Sequence, residues 1–212
     1  GTAALNLDVE PTQGLSEVID QAERLDVAML DRVLVRRGLH LNLLSTVPSL
    51  ENERALDEVS VEKLLSVAVT HVPHIVLDLP HLWTDWTRRA LTMADEVVVV
   101  AEPELGCLRN AAALLAQLKG IRPNDGPPRL ALNQVGMPRR QEIAAREVAS
   151  ILKLAPAACV PFDARTLSKA AGAGRMLVEI ARRRPVGRAI ASLAATVAAR
   201  PRSAQAGGRK PR

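Results

Sequence analysis

The most informative pattern in the chain is a set of short apolar runs that each end in polar residues or proline. The runs are 74–80 (HIVLDLP), 130–135 (LALNQV) and 158–163 (ACVPFD). A continuous apolar run is typical of a parallel strand buried on both faces, and open α/β sheets bind ligands at the carboxyl ends of such strands. The pattern therefore predicts one pocket at three strand ends. Its candidate residues are Asp78, Asn133, Pro161, Phe162 and Asp163.

Segments of helical length separate these runs. The pattern predicts strands at 39–45, 74–80, 96–101, 129–133 and 157–160, and helices at 14–21, 26–37, 61–69, 85–92, 104–119, 140–150 and 164–171. Gly38 is expected to end the second helix, and Pro185 to begin a last helix with a docking stripe of Val186, Ile190, Leu193 and Val197. This alternation predicts an α/β fold, a mostly parallel sheet with helices on both faces.

The chain is long enough for one domain with a sizeable core. Nine of the 28 Lys and Arg residues, and none of the 23 Asp and Glu residues, lie in 182–212, so residues 1–181 carry a net charge of −4. We expect residues 1–199 to form the domain. Residues 200–212 have little apolar surface, which predicts a basic, disordered tail.

Composition disfavours several classes of protein. Only 1% of the residues are aromatic, which disfavours a protein that stacks single-stranded bases. No apolar stretch approaches the roughly 20 residues of a membrane-spanning helix, and no basic-then-apolar leader is visible, so we expect a cytoplasmic protein. Cys107 and Cys159 lack metal-ligand spacing, which favours reduced thiols.

Several motifs together carry a family resemblance. The chain resembles the MinD/ParA superfamily of deviant Walker P-loop ATPases, and within it most closely the CpaE/TadZ family of pilus-assembly proteins. The motifs are GTAALNLDVEP (1–11), AERLD (22–26), LDLP (77–80), ADEVVVVAEP (94–103), LRN (108–110), LNQV (132–135) and VPFD (160–163).

The resemblance assigns roles to the candidate residues. Asp78 stands at the Walker B position, where the family's aspartate holds magnesium, usually through water. Asn133 matches the position whose amide reads the adenine edge, because an amide both donates and accepts hydrogen bonds. Pro161, Phe162 and Asp163 match the loop that packs on adenine. Glu102 and Pro103 match the strand end near the face where two subunits meet.

Each of these residues also has an ordinary structural interpretation. Asp78 could cap a turn or the following helix, and Asn133 could form a turn before Gly136. Pro161 could simply end a strand, because proline donates no hydrogen bond to a sheet ladder. The ordinary and functional interpretations of Pro161 are compatible.

The chain departs from the family in one respect. The family's Gly-rich phosphate loop, with its lysine and its serine or threonine, is absent from the 212 residues. We expect an amino-terminal portion carrying it to be missing before Gly1. By the resemblance, the intact form uses ATP and Mg²⁺, and we expect this chain to bind neither tightly.

The resemblance implies a nucleotide-dependent positioning and assembly factor for a type IVb (Flp/Tad) pilus or secretion apparatus. In the intact form, ATP stabilises a homodimer that recruits pilus or secretion proteins at the inner membrane face or cell pole. Two alternatives remain open: a chromosome- or plasmid-partitioning ParA-like ATPase, and a non-catalytic localisation scaffold. The basic carboxyl terminus could contact DNA or anionic membrane weakly, since clustered cations attract both.

We predict that the purified chain shows no magnesium-dependent ATP turnover. Phosphate binding by such a loop requires backbone N–H groups and a helix N-terminus aimed at the anion, and no motif in the sequence replaces them. Phosphate release measured with and without Mg²⁺ checks this. Robust turnover that requires magnesium would contradict it.

Overall fold

The computed structural model describes residues 3–10, 14–45 and 56–199. It divides into two compact units, one comprising Gly1–Met93 with Leu167–Met176 and the other Ala94–Thr166 with Leu177–Arg212. The expected tail at 200–212 lies outside the described residues.

The first unit consists of helices and a small hairpin. Its elements are α1 (Ala3–Asn6), α2 (Gly14–Asp20), a 3-10 helix (Ala22–Arg24), α3 (Val27–Val33), β1 (Val35–Arg37), β2 (Leu41–Leu43), α4 (Glu58–His71) and α5 (Asp85–Met93).

Aspartate caps begin two of these helices. The Asp26 carboxylate accepts a hydrogen bond from the Met29 backbone N–H at 2.8 Å, and the Asp57 carboxylate accepts one from the Ser60 N–H at 2.7 Å. Each bond satisfies a backbone donor that has no partner inside its helix. The Ser60 N–H also lowers the pKa of Asp57. These local signals explain why α3 and α4 start where they do.

Two apolar clusters hold the helices of the first unit together. One consists of Val18, Leu25, Met29, Leu30, Val33 and Ala68, and the other of Val61, Leu65 and Ala90, with Trp86 packed against it. Trp83 is 44% exposed, so only one of the two tryptophans contributes to a core.

The predicted helix at 26–37 is wrong in its second half. Helix α3 stops at Val33, and residues 35–37 instead form β1, which pairs antiparallel with β2. Gly38 does adopt a left-handed conformation, with φ +70°, but in the turn of this hairpin and not at a helix end. Val35 is β-branched and favours extended backbone, and β2 supplies the ladder that stabilises it.

The predicted strand at 74–80 is also wrong for the described residues. The segment is irregular, and its side chains are mainly exposed, with Val76 93% accessible. An apolar run forms a strand only where a neighbouring strand completes its hydrogen bonds, and no described strand pairs with this segment. Asp78 therefore lies on an exposed, unpaired stretch.

The second unit contains the parallel sheet. Its strands are β3 (Val98–Ala101), β4 (Arg129–Val135) and β5 (Pro156–Pro161), in the order β3-β4-β5. Its helices are α6 (Leu105–Ile121), α7 (Ala145–Leu152), α9 (Leu177–Ala181) and α10 (Pro185–Ala198). Helix α8 (Ala164–Gly172) begins in the second unit, and its residues from Leu167 onward belong to the first.

Strand β4 is the centre of this sheet. Leu130, Ala131 and Leu132 are at most 2% exposed, so both faces of the strand are covered, because successive side chains point to opposite faces. Helix α6 packs on β3, while α7 and α10 pack on β5. The predicted α/β fold with a parallel sheet is confirmed.

The last helix docks through its predicted stripe only in part. Pro185 begins α10, Val186 is fully buried, and Leu193 and Val197 are half-buried. Ile190 is 41% exposed. Within the described residues, no helix is both long and apolar enough to cross a membrane.

We predict that Gly187→Ala destabilises the chain whereas Gly106→Ala does not. A Cβ at Gly187 would lie 2.2 Å from the Ala181 carbonyl oxygen, whereas one at Gly106 would meet nothing within 4 Å. Because backbone cannot move aside easily, we expect a cost of about 1–3 kcal/mol at Gly187. At Gly106 we expect a gain of up to about 1 kcal/mol from the better helix former.

Urea unfolding of both variants, monitored by circular dichroism, checks this pair. Equal effects at the two positions would show that the close approach of α10 to Ala181 does not limit the packing of the second unit.

Candidate functional site

The carboxyl ends of β3, β4 and β5 gather most of the predicted site residues. Asn133 lies near the end of β4, and Pro161 is the last residue of β5. Val135 and Pro161 are register partners, and the Phe162 N–H donates to the Val135 carbonyl at 2.8 Å. Asn133, Pro161, Phe162 and Asp163 are half-buried. The structure therefore brings four of the five candidates to one edge of the second unit.

A β-bulge shapes this edge. Leu132 pairs with Cys159 and Val135 with Pro161, so β4 advances three residues while β5 advances two. Gln134, inside the bulge, has φ +55°, which is unusual for a residue other than glycine. A bulge redirects the side chains beside it, and here the neighbour is Asn133.

An arginine-centred network, which we call the Arg140 clamp, lies beside the bulge. It consists of Arg140, Glu102, Gln134 and Glu142. The Arg140 guanidinium donates to the Glu102 carboxylate, to the Gln134 carbonyl and, at 2.9 Å, to the Glu142 carboxylate. The Gln134 side-chain amide donates to Glu102 Oε1 at 3.0 Å. The clamp thus joins the carboxyl ends of β3 and β4.

Glu142 holds the turn that follows β4. Its two carboxylate oxygens each accept from the Gly136 N–H at 2.9 Å, and Oε1 also accepts from the Met137 N–H at 3.0 Å. The Gly136 N–H, followed by Arg140, holds the pKa of Glu142 below its usual range. The hydrogen bond to Glu142 raises the pKa of Arg140. Both groups are therefore charged over the whole neutral range.

Asp163 has a structural role that the sequence interpretation missed. Its Oδ1 accepts from the Thr166 N–H at 3.1 Å, in the first turn of α8, and its Oδ2 lies 3.4 Å from Arg184 Nε. Hydrogen bonding to Thr166, with Arg184 nearby, lowers the pKa of Asp163. The Asp-x-x-Thr spacing before a helix was the signal that could have indicated this cap.

Asp78 belongs to the first unit, where it is exposed on the irregular segment described above. Among the residues that the structure describes, no three His, Cys, Asp or Glu side chains group to hold a metal ion. A single carboxylate such as Asp78 would hold magnesium mainly through water, because this hard cation prefers oxygen ligands and keeps several waters.

Sequence reasoning did not identify the Arg140 clamp. The sequence places Glu102 only near a family interface and predicts Arg140 in a helix, whereas α7 begins at Ala145. The available signal was Gly136 followed within six residues by Arg140 and Glu142, which is typical of a turn held by side chains.

The two cysteines form no disulfide. Both are free, Cys159 is exposed, and the Cys107 Sγ lies 3.4 Å from a Glu104 carboxylate oxygen. Burial raises the pKa of Cys107, so its thiol stays protonated at neutral pH.

We predict that Glu142→Gln destabilises the chain at neutral pH and that this difference shrinks in acid. The folded-state pKa of Glu142 lies below its ordinary value of 4.5, so its stabilisation is complete above that value. It is lost as the pH falls through the lowered folded pKa. Urea unfolding at about pH 7 and at about pH 3 measures the difference.

Glu10→Gln, at an exposed position of the first unit, is the matched control. If the cost of Glu142→Gln were the same at both pH values, the carboxylate's charge would not be what holds the turn.

Comparisons with known proteins bear on the fold. No family model and no curated protein sequence matches the chain. Among solved structures, it is similar to a ParA family ATPase from Chlorobium tepidum, with a TM-score of 0.77 and 21% identity over 86% of this chain and 75% of that one. It is also similar to MinD from Pyrococcus horikoshii complexed with Mg-ADP, with a TM-score of 0.75 and 19% identity over 92% and 77% of the two chains.

The MinC:MinD cell division complex of Aquifex aeolicus gives a TM-score of 0.74 at 18% identity, covering 95% of this chain and 80% of that chain. The matched regions cover nearly the whole of this chain. The chain therefore has the α/β fold of the MinD and ParA P-loop NTPases.

Proposed function

We propose that the chain is the nucleotide-responsive part of a positioning and assembly factor for a type IVb pilus or secretion apparatus, similar to the CpaE/TadZ proteins. The observation that carries the nucleotide part is the convergence of Asn133, Pro161 and Phe162 at one carboxyl edge of a MinD/ParA-like sheet. Open α/β sheets bind their ligands at this edge. The sequence motifs support the pilus part.

Asn133 and the β5 end suit an adenine base. The Asn133 amide offers one acceptor and two donors, which matches the alternating edge of adenine. Phe162 is the only phenylalanine of the chain and lies directly after β5, where its ring could pack on a base. The Asp163 cap at α8 fixes the loop from which these groups act.

We propose that the Asp78 carboxylate holds magnesium through water. An exposed, unpaired acid on an apolar stretch is chemically suited to a hydrated cation. A bound nucleotide would change the charge of this site, and that change would switch the association of two subunits. In the intact form the switch is a homodimer that recruits pilus or secretion proteins at the inner face of the membrane or at the cell pole. This chain contributes the base-binding edge to that switch.

A partitioning ATPase is the second candidate. Arg182, Arg183 and Arg188 are exposed around the start of α10, and clustered cations bind DNA phosphates by releasing counterions. Arg184 is less available because it faces Asp163. The same cations would serve an anionic membrane surface. A scaffold without nucleotide dependence is the third candidate, and the experiment below separates it from the first.

We predict that Mg-ADP binds weakly at the carboxyl edge and that Asn133→Ala weakens it further. Without a phosphate loop we expect a dissociation constant on the order of 1 mM, equivalent to about −4 kcal/mol. Titration of isotope-labelled protein, followed by NMR, should shift the backbone signals of residues 133–135 and 161–163 together.

Asn42→Ala, at an exposed position of β2, is the control and should leave the titration unchanged. Adenosine should produce the same shifts as ADP at residues 161–163, because the proposed contacts are with the base. An absence of shifts at this edge, or equal effects of the two variants, would contradict the proposal and favour the nucleotide-independent scaffold.

A further inference from the structure

The bulge at the end of β4 carries backbone strain. Gln134 has φ +55°, a conformation that glycine adopts freely and other L-residues avoid. Glycine would remove this cost, yet the position holds a glutamine. Such a conformation persists only where the surroundings determine it by several contacts at once.

The Arg140 clamp provides those contacts. Its guanidinium bonds the backbone carbonyl of Gln134, and Glu102, bonded to the same guanidinium, accepts from the Gln134 side-chain amide. The strained residue is therefore held at its backbone and at its side chain by one Arg-Glu pair. No other residue type than Arg can offer a fork of five N–H donors in fixed geometry.

Glu142 fixes the position of Arg140 itself. It bonds the guanidinium and also the backbone N–H groups of Gly136 and Met137. The Arg140 side chain is only 12% exposed, and that of Glu142 only 21%. Partly desolvated, charge-assisted hydrogen bonds are stronger and shorter than neutral ones, so this small network can hold a strained turn.

We propose that Arg140 is the positioning residue of the carboxyl edge: by locking the β4 bulge, it fixes the backbone from which the Asn133 amide meets its ligand. Arg140 contacts Gln134 directly and acts on Asn133 only through the bulge. The link to base recognition rests on the proposed function, whereas the hold of the clamp on the bulge does not.

The arrangement also relates β3 to β4. Glu102 follows β3, and a change at this strand end would reach Asn133 through Arg140 and Gln134. The clamp thus forms a chain of hydrogen bonds from Glu102 to the bulge beside Asn133. This path consists of contiguous hydrogen bonds between residues of one unit.

The test compares Arg140→Met, which keeps the apolar volume of the side chain, with Arg146→Met at an exposed position of α7. The first readout is the sign of φ at residue 134, from the intraresidue amide-to-Hα nuclear Overhauser effect in the ligand-free protein. The second is the position of the Asn133 side-chain amide signals. The third is the affinity for Mg-ADP.

We expect Arg140→Met to move residue 134 to negative φ and to shift the Asn133 amide signals, while Arg146→Met changes neither. We expect ADP affinity to fall about tenfold, equivalent to about 1.4 kcal/mol. Arg140→Lys keeps the charge without the fork and should show the same change to a smaller degree, which guards against a Met variant that does not fold.

A double-variant cycle separates positioning from general stability. In a Gln134→Gly background the bulge needs no clamp, because glycine adopts positive φ without cost, so Arg140→Met should there reduce ADP affinity by less than about threefold. Equal losses in both backgrounds would overturn the proposal. So would a residue 134 that keeps positive φ in Arg140→Met. If the wild-type chain shows no ADP-induced shifts, the proposed function fails, and the φ readout still decides whether Arg140 locks the bulge.

Discussion

The second unit depends on the burial of β4 on both faces. Leu130 and Leu132 are at most 1% exposed, and each fully buried leucine contributes roughly 1.5–3 kcal/mol relative to an exposed one. This burial is tolerated because β3 and β5 pair with β4 from both sides and satisfy its backbone hydrogen bonds. The apolar composition of β4 and its central place in the sheet therefore require each other.

The polar side chains of the carboxyl edge lie where the burial of β4 ends. At Asn133 the strand leaves the covered region, and its side chains can become polar without losing apolar contacts. The backbone must then turn, and the turn needs partners for its N–H and carbonyl groups. Glu142 and Arg140 supply them with charged side chains, and Asp163 does the same for the start of α8. The carboxyl edge is therefore polar by structural need, and this also suits it to a polar ligand.

In the first unit, local signals set the starts of helices, whereas tertiary pairing decides which segments become strands. Asp26 and Asp57 set the starts of α3 and α4 by hydrogen bonds that span three residues, so these signals are local, although the apolar pattern placed the start of α4 at residue 61, three residues late. The hairpin of β1 and β2 needs two segments to meet, and the segment that follows α4 has no described strand beside it. An apolar run thus became a strand in one place and an irregular stretch in another.

The sequence by itself determined the helices with caps and periodic faces, the three parallel strands of the second unit and the order of polar groups at their ends. These features depend on side-chain polarity and on contacts within a few residues of each other. Only the tertiary structure decided the bulge at Gln134, the Arg140 clamp and the irregular state of the segment around Asp78. Each of these depends on which distant backbone groups come within hydrogen-bonding distance, and a pattern of apolar and polar residues along one chain does not contain that distance.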